Sequence, residues 1–276
     1  MQGGDAQTVW DTGLEGCLTF SDLPLARRLE AAEAANAKGC TAIHPEAASI
    51  DVAGGCAVFV GAESPLTHAV GIGLNGHVSL EEIAMLEAFF RERGSKVTID
   101  LCPLADAGLP ALLADRGYRL TEFSNVLVRR LAGREIVITP RVRRVLLPEE
   151  TDLWSYTVGH GFFDQAELTT EEMDVGRAIC AMPGALCYLA TSSAGEPAGA
   201  AAAAMYGGLA TLFADSTIAR FRGGGLHAEL IAARLNEALA QGCDLATAST
   251  LPGSGSQRNY ERLGFEVVYT RVTMVG

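Results

Sequence analysis

An internal repeat constrains the fold of this chain more than any other feature of its sequence. Residues 97–128 can be laid on residues 244–275 without a gap, and a Gly-aromatic pair at 117–118 then falls on one at 264–265. Each copy has the pattern of a strand, a short helix and a second strand. Duplication suits a chain of 276 residues, a length typical of two domains. Because any α/β segment shares this periodicity, a chance likeness is the alternative.

The boundary between the two units is predicted at residues 134–140, which end in a Thr-Pro pair just before a fresh strand pattern. We therefore expect one domain over residues 1–135 and a second over residues 136–276. Hydrophobic residues make up 49% of the chain, which is enough for a folded core and argues against disorder.

Charge and residue usage argue against several classes of partner. The net charge is −12, and the longest basic run, at residues 141–144, is short and interrupted, so a nucleic-acid partner is not expected. The five His are scattered without metal-like spacing. The longest apolar run, residues 198–214, is broken by a Gly pair at 207–208 and reads as two strands and a turn rather than a membrane span.

The cysteines and the N-terminal residues indicate the compartment. The chain has an odd number of Cys, seven, and no two of them have C-x-x-C spacing. This pattern is typical of reduced, buried thiols in a cytosolic protein. Residues 1–5 lack the basic and apolar regions of a signal peptide. The expected localisation is therefore cytoplasmic, without a membrane partner and without a metal site.

A glycine-rich turn joins a strand and a helix in the second unit. An apolar strand pattern at residues 209–214 leads to Gly223, Gly224 and Gly225, and an amphipathic helical pattern then continues to residue 241. A turn of this kind directs backbone N–H groups and a helix N-terminus at one spot, which suits a phosphate. Either Arg222 or Arg220 could add a positive charge there. The alternative is a plain connecting loop.

Two motifs in this unit resemble those of a known family. The letters RGGGLH at residues 222–227 resemble the Arg/Gln-x-x-Gly-x-Gly/Ala motif of the GCN5-related N-acetyltransferases, or GNAT family. The letters YERLGF at residues 260–265 resemble the late Tyr-x-x-x-Gly-Phe signature of that family. His227 departs from the first motif, and a register that begins at Arg220 matches its letters fully. The length of the following helix favours Arg222.

The resemblance implies an architecture for both units. It predicts the α/β (α+β) class, with two tandem GNAT-like domains, each a mixed, mostly antiparallel central sheet flanked by helices. The first half keeps this pattern but not the site, because residues 74–79 lie opposite the loop without a matching Arg, and Leu113 lies opposite Tyr260. The N-terminal half is therefore expected to be a degenerate GNAT-like domain.

The resemblance also implies a reaction and its participants. Acetyl-CoA would be the co-substrate, and its acetyl group would pass to a primary amine of a small molecule or peptide. Tyr260 would be the general acid that protonates the leaving thiolate, with packing against the cofactor arm as the alternative. Asp215 is the assigned candidate for the general base, with Glu167, His160 or a water chain left open. The expected cofactor-binding residues are Asp215, Ser216, Thr217, Arg222, Gly223, Gly224, Gly225, Leu226, His227, Ser256 and Asn259, although Ser256 could instead cap its helix.

Two other functions remain as alternatives. The chain could be a non-catalytic acyl-CoA-binding or regulatory module in which the loop survives and the acceptor site does not. A nucleotide-binding oxidoreductase ranks last, because it needs an acidic residue on the next strand and residues 245–250 are uncharged. The sequence leaves the acceptor amine and the formation of a homodimer open.

Overall fold

The computed structural model describes residues 21–42, 45–131 and 141–276. The helices and strands of the first half are α1 (Leu23–Gly39), β1 (Ala48–Val52), β2 (Gly55–Phe59), β3 (His68–Val70), α2 (Leu80–Arg91), β4 (Thr98–Leu101), α3 (Leu109–Asp115) and β5 (Arg119–Arg130). Those of the second half are β6 (Val142–Arg144), α4 (Thr151–Phe163), α5 (Thr170–Ala181), β7 (Leu186–Thr191), β8 (Pro197–Tyr206), β9 (Leu209–Thr217), α6 (Leu226–Ala240), β10 (Leu245–Thr250), α7 (Gly255–Arg262) and β11 (Glu266–Val275).

In the described residues, eleven strands form one continuous sheet with the order β1-β2-β3-β4-β11-β5-β10-β9-β8-β7-β6. The pairs β3–β4 and β9–β10 are parallel and the others are antiparallel. The predicted class, a mixed and mostly antiparallel sheet flanked by helices, is confirmed. Across the described ranges, no helix is long and apolar enough to cross a membrane.

The two halves exchange their last strands. Strand β11 of the second half lies between β4 and β5, and β5 of the first half lies between β11 and β10. Each half therefore completes its part of the sheet with a strand from the other. The predicted boundary, residues 134–140, lies outside the described ranges, so the division at 135/136 stays a prediction.

The helix-to-strand turns before the two exchanged strands have the same geometry. Gly117 and Gly264 have φ values of 88° and 83°, which favour glycine. Next to each, the aromatic N–H donates to the carbonyl five residues earlier, over 3.0 Å from Tyr118 to Leu113 and 3.1 Å from Phe265 to Tyr260. Both turns are therefore the glycine helix ending that closes a helix before a strand, as the repeat predicts.

Helix starts follow the capping residues of the sequence with two corrections. Ser79 and Glu82 form the predicted capping box at the start of α2. The sequence predicts Thr170 as the cap of α5, but the structure has Thr169 there, and helix α7 is capped by Ser254. Ser256 thus lies within the first turn of α7, and the alternative that it caps this helix is wrong.

The alanine-rich strand β8 lies between two layers of helices. Ala201 and Ala203 pack with Leu226 and Leu230 of α6. The alternate residues Ala200 and Ala202 pack on the opposite face, with Trp154 of α4 and Ile179 of α5 in a shared cluster. Because side chains alternate between the faces of a strand, small residues on both faces let helices approach the sheet from both sides.

Candidate cofactor and catalytic site

The glycine loop follows the C-terminal end of β9 and leads into the N-terminus of α6. A short 3-10 turn, Ala219–Phe221, follows β9, and Gly223 and Gly225 then adopt φ values of 80° and 82°. Gly225 is the N-cap of α6, and no described side chain caps it. The first N–H groups of α6 are therefore free to bind a ligand, at the end of the helix that favours negative charge.

A groove of about 770 Å³ opens at this helix end, and we call it the cofactor groove. The end of β9, the glycine loop, the first turn of α6 and one face of α7 line it. It brings together ten of the eleven predicted cofactor residues: Asp215, Ser216, Thr217, Arg222, Gly223, Gly225, Leu226, His227, Ser256 and Asn259. Gly224 belongs to the loop but does not line the groove.

Basic side chains of α7 add positive charge to the groove. Arg258 and Arg262 lie on its wall and are exposed. Together with Arg222 they place three guanidinium groups at one groove of a protein whose net charge is −12. The sequence prediction missed the two α7 residues, although their spacing of four puts them on one helix face, a signal that could have found them.

Strands β9 and β10 separate beside the groove. They pair in parallel only over residues 209–212 and 245–248. Beyond this point β9 has an irregular register against β8, and Ala214 has a φ of 54°. A cavity of about 320 Å³, the fork cavity, lies between the separated strands and shares Asp215 and Ser256 with the cofactor groove. Backbone groups at such an unpaired strand edge can bind an extended ligand.

Arg222 holds the loop against the end of α4. Its Nε donates to the Thr217 carbonyl over 3.0 Å, and its Nη2 donates to the Gly161 carbonyl over 2.9 Å. The same guanidinium pairs with the Asp164 carboxylate at 2.6 Å. Arg220 instead lies over the Phe221 ring and does not line the groove. This geometry favours the register that begins at Arg222.

A buried network centred on Asp215 lies under the loop. The Tyr260 hydroxyl donates to Asp215 Oδ2 over 2.6 Å, and Arg234 donates to both carboxylate oxygens. His227 Nε2 lies 3.2 Å from Asp215 Oδ1, and His227 Nδ1 lies 2.9 Å from Asn259 Nδ2. One carboxylate therefore connects β9, α6 and α7.

The neighbouring groups of this network determine the ionisation of Asp215. Burial opposes ionisation of Asp215, but the Arg234 guanidinium and the His227 ring outweigh it and hold the pKa of Asp215 well below its usual value. A carboxylate stabilised in this way is a weak proton acceptor at neutral pH. The geometry favours a structural role for Asp215, and its assignment as general base stays a prediction.

Tyr260 is almost fully buried at 1% exposure. Burial, and then the neighbouring Asp215 carboxylate, raise the pKa of its phenol well above the usual value, so the phenol keeps its proton. The ring packs edge-on against Phe265 and His227, with centroid distances of 4.9 and 5.6 Å. Its hydroxyl donates a hydrogen bond to Asp215, and its assignment as general acid stays a prediction.

Other residues of the prediction lie elsewhere or were missed. Neither Glu167 nor His160 lines the cofactor groove or the fork cavity, and His160 lies within α4 beside Tyr156. Arg234, which is fully buried, was not predicted. Its signal in the sequence is an Arg within the apolar stripe of α6, next to Leu235 and one turn after Leu230 and Ile231.

The corresponding helix start in the first half is closed by its own side chains. The side chains of Ser79 and Glu82 each accept a hydrogen bond from the other's N–H group at the start of α2. The Asp106 carboxylate accepts hydrogen bonds from the Val78 and Gly108 N–H groups, over 2.9 and 3.0 Å. These two bonds lower the pKa of Asp106. A carboxylate of the chain thus lies beside the start of α2 and binds the Val78 N–H just before it.

The fold is similar to that of several solved structures. No protein-family model matches the chain, and no curated protein matches it. Among solved structures, a GCN5-related N-acetyltransferase from Kribbella flavida is similar, with 18% identity, a TM-score of 0.66, and coverage of 91% of this chain and 95% of that one.

Two further structures agree. A tandem GNAT protein from the clavulanic acid biosynthesis pathway has 16% identity and a TM-score of 0.59, over 92% of this chain and 94% of that one. A GNAT-family acetyltransferase structure from Novosphingobium aromaticivorans DSM 12444 has 15% identity and a TM-score of 0.54, over 82% and 89% of the two chains. At these identities the likeness concerns the fold. The chain has the fold of a tandem GNAT protein.

Proposed function

We propose that the chain is an acyl-CoA-dependent N-acetyltransferase that transfers an acetyl group from acetyl-CoA to a primary amine. One observation carries the proposal: the uncapped N-terminus of α6 stands at one end of a groove that reaches the fork between β9 and β10. The first half supplies the contrast, because its own side chains close the matching helix start.

The cofactor groove suits the parts of acetyl-CoA. The free N–H groups of α6 would bind the pyrophosphate, and Gly223 and Gly225 allow the backbone to approach it closely. Anion–dipole attraction at a helix start is worth about 0.3–1 kcal/mol per exposed charge, and more when it is partly buried. Arg258 and Arg262 would add charge from α7. The unpaired edge of β9 would hold the extended arm and bring the thioester to the fork cavity.

At the fork, the chemistry balances as an acyl transfer. The amine nitrogen forms a bond to the acetyl carbonyl carbon, and the bond from that carbon to sulfur breaks. The thiolate takes up one proton and the ammonium substrate gives up two over the reaction, so that one proton is released to solvent. Tyr260, which keeps its proton through its raised pKa, is the candidate donor to the thiolate.

The alternative is a non-catalytic acyl-CoA-binding module. One observation favours it: the Tyr260 hydroxyl donates to Asp215 and is not part of the lining of the fork cavity. A tyrosine held in this way must leave Asp215 before it can reach a thiolate.

Turnover and binding together separate the two functions. Acetyl-CoA binding is measured by calorimetry, and CoA thiol release is measured across a panel of primary amines of differing size and charge. The enzyme predicts both tight binding and amine-dependent thiol release. Tight binding with thiol release at background for every amine would favour the module, and absence of binding would contradict both.

A further inference from the structure

A third cavity adjoins the fork cavity. It lies among helices on the face of the sheet opposite α6. Its volume is about 410 Å³, and residues of α1, α4 and α5 line it. We call it the apolar cavity. It shares four lining residues with the fork cavity: Glu33, Phe162, Phe213 and Ala214. The fork cavity thus shares wall residues with the cofactor groove on one side and with the apolar cavity on the other.

The wall of the third cavity is mostly aliphatic and aromatic. Its side chains include Leu66, Val158, Phe163, Val175, Ile179 and Met182. The glycines of α4 and α5 shape it, because a Cβ on Gly159 would lie 2.7 Å from Leu168 Cδ1, and one on Gly176 would lie 2.7 Å from the Ser155 side chain. The helices therefore approach each other closely and leave the space beside them for an apolar group.

One carboxylate stands where the fork cavity meets the apolar cavity. Glu33 of α1 is half-buried and makes no hydrogen bond or close ion pair with any residue of the described ranges, although its charge, after that of Glu30, helps to raise the pKa of Arg271 in the same fork cavity. The nearby Arg271 already donates to Glu30 Oε1 over 2.8 Å, as does the Tyr269 hydroxyl. Asp215 at the fork is bound by Arg234.

Two other titratable groups of the apolar cavity, Glu172 and His68, have a polar neighbour, although His68 Nε2 is buried without a hydrogen-bond partner. Glu172 accepts from the Thr169 N–H and from Gln165, and His68 Nδ1 lies 3.9 Å from Asp100. Glu33 is therefore the carboxylate of this junction that still has room for a cation. It belongs to the first half of the chain, whereas the cofactor groove belongs to the second.

We propose that the apolar cavity and Glu33 form the acceptor site, and that the acceptor is a primary ammonium with an apolar body. Its charge lies at Glu33, within the fork where the thioester ends, and its body fills the space between α1, α4 and α5. This inference rests on the proposed function. It gives the first half a direct part in choosing the substrate.

The site predicts a chain-length dependence. Each buried methylene is worth about fourfold in affinity, so kcat/KM for linear alkylamines should rise by about that factor per carbon until the cavity is filled. A terminal hydroxyl has no predicted partner in the aliphatic wall. Hexylamine should therefore exceed 5-aminopentan-1-ol, which has the same length, by at least tenfold in kcat/KM.

The experiment uses the full chain and three variants. Glu33→Gln should raise the KM for hexylamine by at least tenfold and leave the KM for acetyl-CoA within twofold. Phe163→Ala, at a residue that is 44% exposed, should flatten the chain-length dependence without unfolding the protein. Glu171→Gln, an exposed acidic residue of α5 outside the three cavities, is the matched control and should change neither quantity.

Direct binding separates the inference from the function. Hexylamine is titrated calorimetrically into the CoA-saturated protein and into its Glu33→Gln variant. Glu33-dependent binding without turnover would overturn the enzyme and keep the site. Turnover of hexylamine and the amino alcohol at equal rates, unaffected by Glu33→Gln, would overturn the site and keep the enzyme. Absence of both hexylamine binding and turnover would overturn the site.

Discussion

At the scale of the residue, the buried carboxylate of Asp215 has the largest structural consequence. It accepts hydrogen bonds from Tyr260 of α7 and Arg234 of α6, and both donors are almost fully buried. A buried ion pair contributes little compared with a well-packed apolar pair, but the loss of one partner leaves a buried charge without compensation. The network therefore makes these two helices depend on one side chain of β9.

Replacement of Asp215 should expose this dependence. Asp215→Asn leaves the Arg234 guanidinium buried and unpaired, and should lower the free energy of unfolding by about 3–5 kcal/mol. Urea denaturation at pH 7 measures the loss. The double variant Asp215→Leu/Arg234→Met removes both charges and should recover a large part of it. A loss below about 1 kcal/mol in the single variant would contradict the predicted role of the pair.

The same carboxylate gives the stability a pH dependence. Its pKa in the folded protein is below the usual 3.8, so its contribution is fully present above that value and is lost as the pH falls toward the folded pKa. The free energy of unfolding of the native chain should therefore fall from pH 5 to pH 3 more steeply than that of Asp215→Asn. Equal slopes for the two proteins would contradict the assignment.

Tyr260 can be tested against a similar tyrosine elsewhere. If it is the general acid, Tyr260→Phe should lower turnover by about 10²–10⁴-fold and leave the acetyl-CoA Kd within threefold. The control is Tyr269→Phe, because Tyr269 is also buried and also donates to a carboxylate, Glu30, over 2.8 Å. Both variants lose a comparable hydrogen bond, and only the first should lose turnover. Unchanged turnover in Tyr260→Phe would remove it as the acid.

At the scale of the element, the two helix starts that the repeat relates have opposite chemistry. Helix α2 begins with a Ser-Glu capping box, whereas α6 begins with Gly225, which has no side chain to offer. Capping boxes and glycine turns are local patterns, so each can be read from the sequence. The prediction that the first half lacks the phosphate loop has a separate basis, the missing Arg at residues 74–79 and Leu113 opposite Tyr260.

The glycine loop itself offers a matched pair of variants. Gly225 has a φ of 82°, which a β-branched residue adopts only with strain, whereas Gly224 is not in this region. Gly225→Val should abolish acetyl-CoA binding in calorimetry without unfolding the chain, and Gly224→Val should weaken it by less than about threefold. Normal binding by Gly225→Val would contradict the assignment of the loop.

Helix α4 shows where local patterns were not sufficient. The sequence pattern predicts a helix over residues 149–158, and Gly159 and Gly161 normally interrupt a helix, but α4 continues to Phe163. Tertiary packing explains the difference: a Cβ on Gly161 would lie 2.7 Å from Ser216 Oγ of β9. The glycines serve close approach between elements, which a single sequence does not reveal.

The site was predictable to a similar degree. The loop and α7 carry motifs, so ten of the eleven predicted cofactor residues line one groove, although Arg258 and Arg262 of α7 were missed and Gly224 lies outside it. Arg234 and Glu33 carry none, because their positions depend on which helix packs against which strand. Arg234 joins the network only through the packing of α6 on β9, and Glu33 reaches the fork only because α1 of the first half lies beside it.

At the scale of the whole molecule, the exchange of β5 and β11 joins the halves. The sequence predicts both segments as strands at nearly their observed bounds. Alternation along a strand, however, specifies its faces and not its neighbours. The partners depend on contacts far apart in the chain, such as Val272 with Phe123 and Ala248 with Leu127. Two strand–helix–strand units in sequence thus become one sheet.

This sharing predicts that the halves unfold together. Leu127 of β5 is fully buried and packs in the cluster of Ile231 and Tyr260, although its strand comes from the first half. Leu127→Ala should lower the free energy of unfolding by about 2–5 kcal/mol. Hydrogen exchange of amides that open only by global unfolding should then accelerate by roughly 30-fold or more, equally in β4 of the first half and β9 of the second.

The control for this prediction lies in the same strand. Leu120 is 46% exposed, so Leu120→Ala removes a similar side chain with little loss of burial and should change exchange only slightly. Acceleration in β9 alone after Leu127→Ala would mean that the second half opens while the first stays folded. That outcome would contradict a cooperative unit, because β11 of the second half pairs with both β4 and β5 of the first, so that unfolding of the second half removes a strand from the middle of the first.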